Sequence, residues 1–262
     1  MQDSLIPVAP YIDPILTRAG GLPRGLLVEV IGKPGAGKTA FATLAMIGAQ
    51  KEGLKVGYVA SERGYDTEYA KFLGLNPDSI DFCYPMYAEE WLTQVMKWCE
   101  ENYGLIIVDS VVGVFPKAQM EDEEDNQYGP IAKALARNLP LIHPLAYEHN
   151  TCVLLLNQVR DKFGVFGFGR SYDSAGGWAI KHFSSLRLEI KRVADIKYSS
   201  NSIGFIAEIK AWKNRRFPPN RKGYFSIIYD MQLPESVYTD KLEKAQETAR
   251  KNYEKNNYRK KP

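Results

Sequence analysis

The segment Gly32-Lys33-Pro34-Gly35-Ala36-Gly37-Lys38-Thr39 constrains this chain more than any other stretch. It has the spacing G-x-x-x-x-G-K-[ST] of a phosphate-binding loop, and it lies in the context such a loop needs. The apolar run Leu26-Leu27-Val28-Glu29-Val30-Ile31 before it reads as a strand, and Ala40-Phe41-Ala42-Thr43-Leu44-Ala45-Met46 after it reads as a helix. Glycines let backbone N–H groups converge on phosphate oxygens, and the helix start adds positive potential. In such a loop Lys38 reaches the β- and γ-phosphates, and the Thr39 hydroxyl ligates Mg²⁺. The pattern predicts a nucleoside-triphosphate site formed by Gly32, Pro34, Gly35, Ala36, Gly37, Lys38, Thr39 and Ala40.

Strand and helix patterns alternate beyond the loop. Residues 56–60, 80–84, 105–108 and 153–156 read as strands. Residues 66–73, 89–103 and 129–147 read as helices, the last expected to bend or break at Pro140 and Pro144. Continuous apolar strands separated by helices predict a mainly parallel sheet covered on both faces. From about Phe183 the rhythm changes, and residues 185–190, 205–209 and 224–229 alternate like antiparallel edge strands. The expected architecture is α/β: a short extension at 1–19, an ATPase core at 20–235, and a basic helix or tail at 236–262. The 262 residues, 45% of them hydrophobic, suffice for such a core.

Charge and cysteine content narrow the setting. No run is long and apolar enough to span a membrane, and the N-terminus lacks a signal-like stretch. Cys83, Cys99 and Cys152 are scattered and form no metal-ligand spacing with His143, His149 and His182, which points to a reduced, intracellular protein. Net charge is only +3, but it is unevenly spread. Residues 121–125 are Glu-Asp-Glu-Glu-Asp, whereas residues 241–262 hold eight basic and three acidic side chains. That tail suits DNA phosphates, or equally a solvated helix with alternating charges.

Three further positions cluster with the loop on topological grounds. Asp109 ends an apolar strand and is placed to hold Mg²⁺ through water. Glu62 follows the strand at 56–60, at the sheet edge where ligands bind; it is either a base for the attacking water or a surface glutamate. Asn157-Gln158 occupies the same edge and precedes a segment rich in glycine, aromatic and basic residues, Val159 to Gly177. Arg160, Lys162 and Arg170 within it, beside Phe163, Phe166, Phe168 and Tyr172, suit a nucleic-acid backbone with unstacked bases. A flexible cover over the nucleotide is the other reading.

Taken in order, these residues resemble the RecA-type strand-exchange recombinases. The resemblance runs from Gly20-Gly21-Leu22-Pro23-Arg24-Gly25 through the phosphate loop, Ser61-Glu62, Asp66, Tyr69 and Val108-Asp109-Ser110. It continues through Phe115-Pro116-Lys117-Ala118, Asn157-Gln158-Val159-Arg160, Gly176-Gly177 and Lys210-Ala211-Trp212-Lys213-Asn214-Arg215. It implies a DNA-dependent ATPase that splits ATP to ADP and phosphate with Mg²⁺. It also implies a filament on single-stranded DNA that pairs with homologous duplex, in a bacterial or phage-infected cytoplasm. By the same resemblance Glu62 is the catalytic glutamate, and Gln158 couples the γ-phosphate to the DNA-binding loop. Asp66 and Tyr69 contact adenine. Lys213 and Arg215 reach the ATP of a neighbouring subunit, with Tyr229 adding an adenine contact from that side.

Residues 119–127 and 160–175 correspond to two DNA-binding loops. Gly176 and Gly177 would bring backbone N–H groups close to phosphates. The first loop is acidic, so Lys133 and Arg137 on the next helix are the better phosphate contacts. Trp178 departs from the small polar residue expected after the glycine pair. The chain reads as a compact core of the kind a phage or mobile element would encode, with Leu5-Ile6-Pro7-Val8 docking on a neighbour as a short strand. Two other readings fit the same motifs: a mediator that binds a partner recombinase, and a ring-forming DNA motor.

Overall fold

The apolar runs of the sequence become strands buried on both faces. The computed structural model describes residues 5–117, 129–161 and 172–257. In chain order the elements begin with β1 (Leu5–Ile6), α1 (Asp13–Leu16), β2 (Leu22–Pro23), β3 (Leu26–Gly32), α2 (Lys38–Lys51) and β4 (Val56–Ala60). Next come α3 (Thr67–Phe72), β5 (Ile80–Cys83), α4 (Ala88–Glu100), β6 (Leu105–Asp109), α5 (Gly129–Glu148) and β7 (Cys152–Asp161). The last are β8 (Tyr172–Ser174), α6 (Gly177–Phe183), β9 (Leu186–Tyr198), β10 (Asn201–Asn214), β11 (Lys222–Ile228) and α7 (Glu235–Asn257).

The main sheet has the order β11-β10-β9-β3-β7-β6-β4-β5, with β8 attached to β7. From β9 to β5 neighbouring strands are parallel, whereas β9, β10 and β11 pair antiparallel. Successive side chains on β6 divide between two apolar layers, as the strand period requires. Leu105 and Ile107 join Phe41, Met46 and Tyr253 on the face covered by α2, α1 and α7. Ile106 and Val108 join Trp91, Leu135, Leu139 and Ile180 under α4, α5 and α6. Each large side chain buried in this way stabilises the fold by about 1.5–3 kcal/mol.

Four expectations are corrected. First, residues 185–190 are not an edge strand: β9 lies inside the sheet, parallel to β3. Helix α6, which the sequence pattern did not suggest, supplies the crossover that parallel pairing demands. Second, α5 runs unbroken through Pro140 and Pro144. Both prolines lie on its exposed face, while Leu135, Leu139, Ile142 and Ala146 hold the inner face, so packing keeps the helix together where the prolines cannot donate. Third, Leu5 and Ile6 pair with Pro23 and Leu22 of the same chain, not with a neighbour. Ile6 is fully buried, and the Pro7 carbonyl lies so close to Gly48 that a Cβ there would sit 1.7 Å from its oxygen. Fourth, the late strands are longer than their alternation suggested, because β9 and β10 continue as a hairpin past the sheet, with register shifts that absorb its twist.

The C-terminal helix is a solvated face along most of its length. Ala245, Ala249 and Tyr253 are its buried side, and Lys244–Asp240 and Lys251–Glu247 ion pairs lie on the outside. Residues 258–262, the basic end, lie outside the described residues. Among the described residues no helix is long and apolar enough to cross a membrane.

Candidate active site

The phosphate loop joins the end of β3 to the start of α2. Gly37 caps the helix with a φ of +101°, and a Cβ there would come within 3.1 Å of the Phe205 ring. Both backbone and space therefore require glycine. Lys38 donates from Nζ to the carbonyls of Gly32 (3.0 Å) and Lys33 (3.1 Å), which holds the ammonium against the loop. Burial lowers its pKa, and the carboxylates of Asp109 and Glu62 raise it again in part.

Asp109 ends β6 next to the loop. Its Oδ2 accepts hydrogen bonds from Thr39 Oγ1 at 2.8 Å and from the Tyr58 hydroxyl at 2.6 Å. Burial pushes the Asp109 pKa up, and the two hydroxyls pull it back. Tyr58, buried and facing this carboxylate, has its own pKa raised well above the usual value, by burial first and then by Asp109. Glu62 stands beyond β4. Its Oε1 accepts from Ser110 Oγ at 2.5 Å and from Gln158 Nε2 at 3.1 Å. The strand-end positions 62, 109 and 158 are thus brought together, because β4, β6 and β7 are successive parallel neighbours.

Lys38, Thr39, Glu62, Asp109 and Gln158 line one cavity of about 390 Å³, with Pro34, Gly35, Gly37 and Ala40 from the loop region. The aromatic residues Tyr65, Tyr69, Phe205 and Tyr229 and the carboxylate of Asp66 face it too. Gly32 and Ala36 line instead a larger cavity of about 540 Å³ beside the loop, shared with Val159 and Ile190. The smaller cavity is the one in which the loop residues meet the strand-end carboxylates and Gln158. Asp66 caps α3, accepting from the Tyr69 backbone N–H at 2.9 Å. The Tyr69 hydroxyl donates to the Ile228 carbonyl at 3.0 Å, which fixes the ring against the end of β11. Tyr229 lines the cavity of its own chain, with its hydroxyl on the Ser202 carbonyl at 2.9 Å.

Lys213 and Arg215 do not line this cavity. Lys213 Nζ donates to the carbonyls of Lys181 (2.7 Å) and His182 (3.0 Å), and Arg215 donates to His182 at 3.1 Å. Both cap the C-terminal end of α6. Burial, then the Arg215 and Arg187 cations, push the Lys213 pKa down to about 8.

Of the residues expected to hold nucleic acid, Lys133 and Arg137 lie one turn apart on the exposed face of α5. Gly176 and Gly177 have φ of +85° and +78°, and Cβ atoms on them would meet Leu135 and Ala132 at 2.7 and 2.9 Å. The pair therefore allows α6 to pack against α5. Trp178 stands exposed beyond it, stacked on His182 at 4.3 Å. Arg160 belongs to β7, and its backbone pairs with Asp173 of β8. Lys162, Arg170 and the 119–127 segment lie outside the described residues.

Sequence reasoning missed Tyr58, Ser110 and Phe205. Tyr58 was readable: the alternation in β4 puts it one strand away from Asp109, on the side of the sheet facing α2. Ser110 stood within the resemblance at Val108-Asp109-Ser110 without a role of its own, and Phe205 gave no comparable signal.

A loop threonine bonded to a strand-end carboxylate, with a glutamate just beyond the adjoining strand, is the arrangement of a phosphate-loop nucleotide-binding fold. Comparison with known proteins narrows this class. Residues 11–233 match the model of the RecA N-terminal domain, and the chain belongs to the RecA family. It is 34% identical to Protein RecA of Sulfurovum sp. (strain NBC37-1) over 212 residues, 80% of this chain and 61% of that relative. It is 32% identical to Protein RecA of Aquifex aeolicus (strain VF5) over 231 residues, 87% of this chain and 67% of the relative. The chain thus spans about three fifths to two thirds of these relatives' length. The crystal structure of the RadB recombinase shares the fold with a TM-score of 0.61 at 21% identity, over 84% of this chain and 94% of that one.

Proposed function

We propose that this chain is an ATP-dependent DNA recombinase that assembles on single-stranded DNA and promotes homologous pairing and strand exchange. The observation that carries this reading is the hydrogen bond from Gln158 to Glu62 at 3.1 Å. It joins a candidate catalytic carboxylate directly to β7, the strand that leads into the basic, aromatic segment. The RecA membership of the chain supports the same reading.

The residues divide the work as follows. Lys38 and the N–H groups of the loop hold the triphosphate. Thr39, and through water Asp109, hold Mg²⁺, which neutralises phosphate charge when bound. The donor set fits that ion, since a hydroxyl and a carboxylate are hard oxygen ligands and already lie 2.8 Å apart. Glu62, held by Ser110 and Gln158, orients the attacking water and accepts its proton. Asp66, Tyr69 and Tyr229 form the wall against the base. Lys213 and Arg215 act on the ATP of a neighbouring copy. Lys133, Arg137, Arg160, Lys162 and Arg170, with the N–H groups of Gly176 and Gly177, hold DNA phosphates.

The test is ATP turnover with Mg²⁺, with and without single-stranded DNA, at several protein concentrations, paired with electron microscopy. Turnover should rise on DNA and helical filaments should form. No DNA binding and no stimulation sinks the proposal; rings with directional unwinding would make the chain a motor instead.

The Lys213 pKa of about 8 gives a second expectation. Its folded pKa lies below the usual lysine value, so the cation is lost as pH rises through about 8. DNA-stimulated turnover should fall over that window in the wild type and hold level in Lys213→Arg, because arginine stays protonated. Identical profiles for the two proteins would remove Lys213 from the role.

A further inference from the structure

A fully buried carboxylate lies in the sheet beside the strand that carries Gln158. Glu29 of β3 has no exposed surface. Its Oε1 accepts from Asn157 Nδ2 at 3.0 Å, and its Oε2 from Arg187 Nε at 2.5 Å. A buried charge persists only where its partners are fixed and complete. Here the partners lead outward in two directions.

Asn157 uses its remaining capacity on both sides of the β7–β8 pair. The same Nδ2 donates to the Ala175 carbonyl at 2.8 Å, and Oδ1 accepts from the Gln158 backbone N–H at 2.9 Å. Arg187 of β9 donates to Ser174 Oγ at 3.1 Å and lies 3.9 Å from Asp173. Asp173 in turn accepts from Lys181 of α6 at 2.6 Å. One web therefore ties β3, β7 and β9 to the 173–175 segment and to α6. At one margin stands Gln158, whose amide touches Glu62. At the other stand Gly176 and Gly177. Glu29, Asn157 and Arg187 do not themselves line the nucleotide cavity.

We propose that Glu29, Asn157 and Arg187 are positioning residues. They form a brace that makes Gln158 and the 173–177 segment move as one body, so that the nucleotide state sets DNA affinity. The proposal rests on the recombinase reading above. Its physical basis is that hydrogen bonds to a charge in a dry interior are strong and directional, so a displacement of Gln158 is not absorbed locally. Without the brace, Gln158 would still meet Glu62, but among the described residues the two sides of the β7–β8 pair would be joined by their short ladder and by the Ala175 N–H bond to the Gln158 carbonyl, main-chain links that leave the buried charge out.

The test measures anisotropy of a labelled oligo-dT with Mg²⁺, with and without a slowly hydrolysed ATP analogue. The ratio of the two dissociation constants is the coupling, commonly about 5–150-fold. Asn157→Ala cuts the brace while leaving the Glu29–Arg187 pair. It should bind a fluorescent nucleotide within about twofold of wild type, yet bring the ratio to within about twofold of one. Loss of packing alone would lower the melting temperature and shift both constants together, leaving the ratio intact. Ser174→Ala removes only the hydroxyl that Arg187 reaches; it serves if Asn157→Ala does not fold, and should lower the ratio about threefold. A folded variant that keeps the wild-type ratio overturns the brace. A wild type with no nucleotide-dependent gain in DNA affinity overturns the recombinase reading, and the brace with it.

Discussion

Glu62→Gln lowers ATP turnover by about 10²–10⁴-fold while nucleotide and DNA affinities stay within about twofold of wild type. The reason lies in how Glu62 is held. Its Oε1 only accepts, from Ser110 and from Gln158, and an amide oxygen accepts from both in the same way. The substitution therefore keeps the shape of the site and its contact with Gln158 and removes only the basicity. Single-turnover hydrolysis and equilibrium nucleotide binding separate the two effects. Turnover above about a tenth of wild type, or an equal loss of nucleotide binding, would take Glu62 out of the role of base.

Arg215→Ala lowers DNA-stimulated turnover by about 10³–10⁵-fold, the range for a cation supplied in trans to a phosphoryl group. Within its own chain Arg215 caps α6 through the His182 carbonyl and stands apart from the cavity lined by Lys38 and Glu62. A residue placed like this contributes to hydrolysis only across an interface. Mixing settles the matter. Lys38→Ala copies lack the phosphate lysine but keep Arg215; Arg215→Ala copies have the reverse. Each alone should be inactive. An equal mixture should regain up to about a quarter of wild-type turnover, since a working site needs one copy of each kind in the right order. A mixture as inactive as its parts, with both variants folded and able to assemble, would place the cations outside the site.

Much of the site was legible because its signals are local. The phosphate loop declares itself by spacing, and Glu62, Asp109 and Gln158 all follow apolar runs, so a parallel sheet must bring them to one edge. What the sequence pattern concealed depends on long-range packing. Nothing in residues 177–183 announces the helix that turns β9 parallel to β3, since it is only two turns long and begins on two glycines. Pro140 and Pro144 suggest a break only until it is seen that both lie on the solvent side of α5. The neighbours of Tyr229 in sequence say nothing of the Ser202 hairpin that holds its hydroxyl beside its own chain's cavity. Glu29 in an apolar run gave one true hint, a buried charge in need of partners, but the partners are 128 and 158 residues away.

The strand order also bears on how the chain acquires its activity. β3, which presents the phosphate loop, is flanked by β7 and β9, and the first of these is not made until synthesis reaches residues 152–161, the second until 186–198. Contacts so distant along the chain pay their loop-closure entropy late and slow the search for the native state. A growing polypeptide therefore carries β3 as an apolar strand with no companion on either side until residues 152–161 have been added. The same order makes the early half the segment most in need of shielding from aggregation.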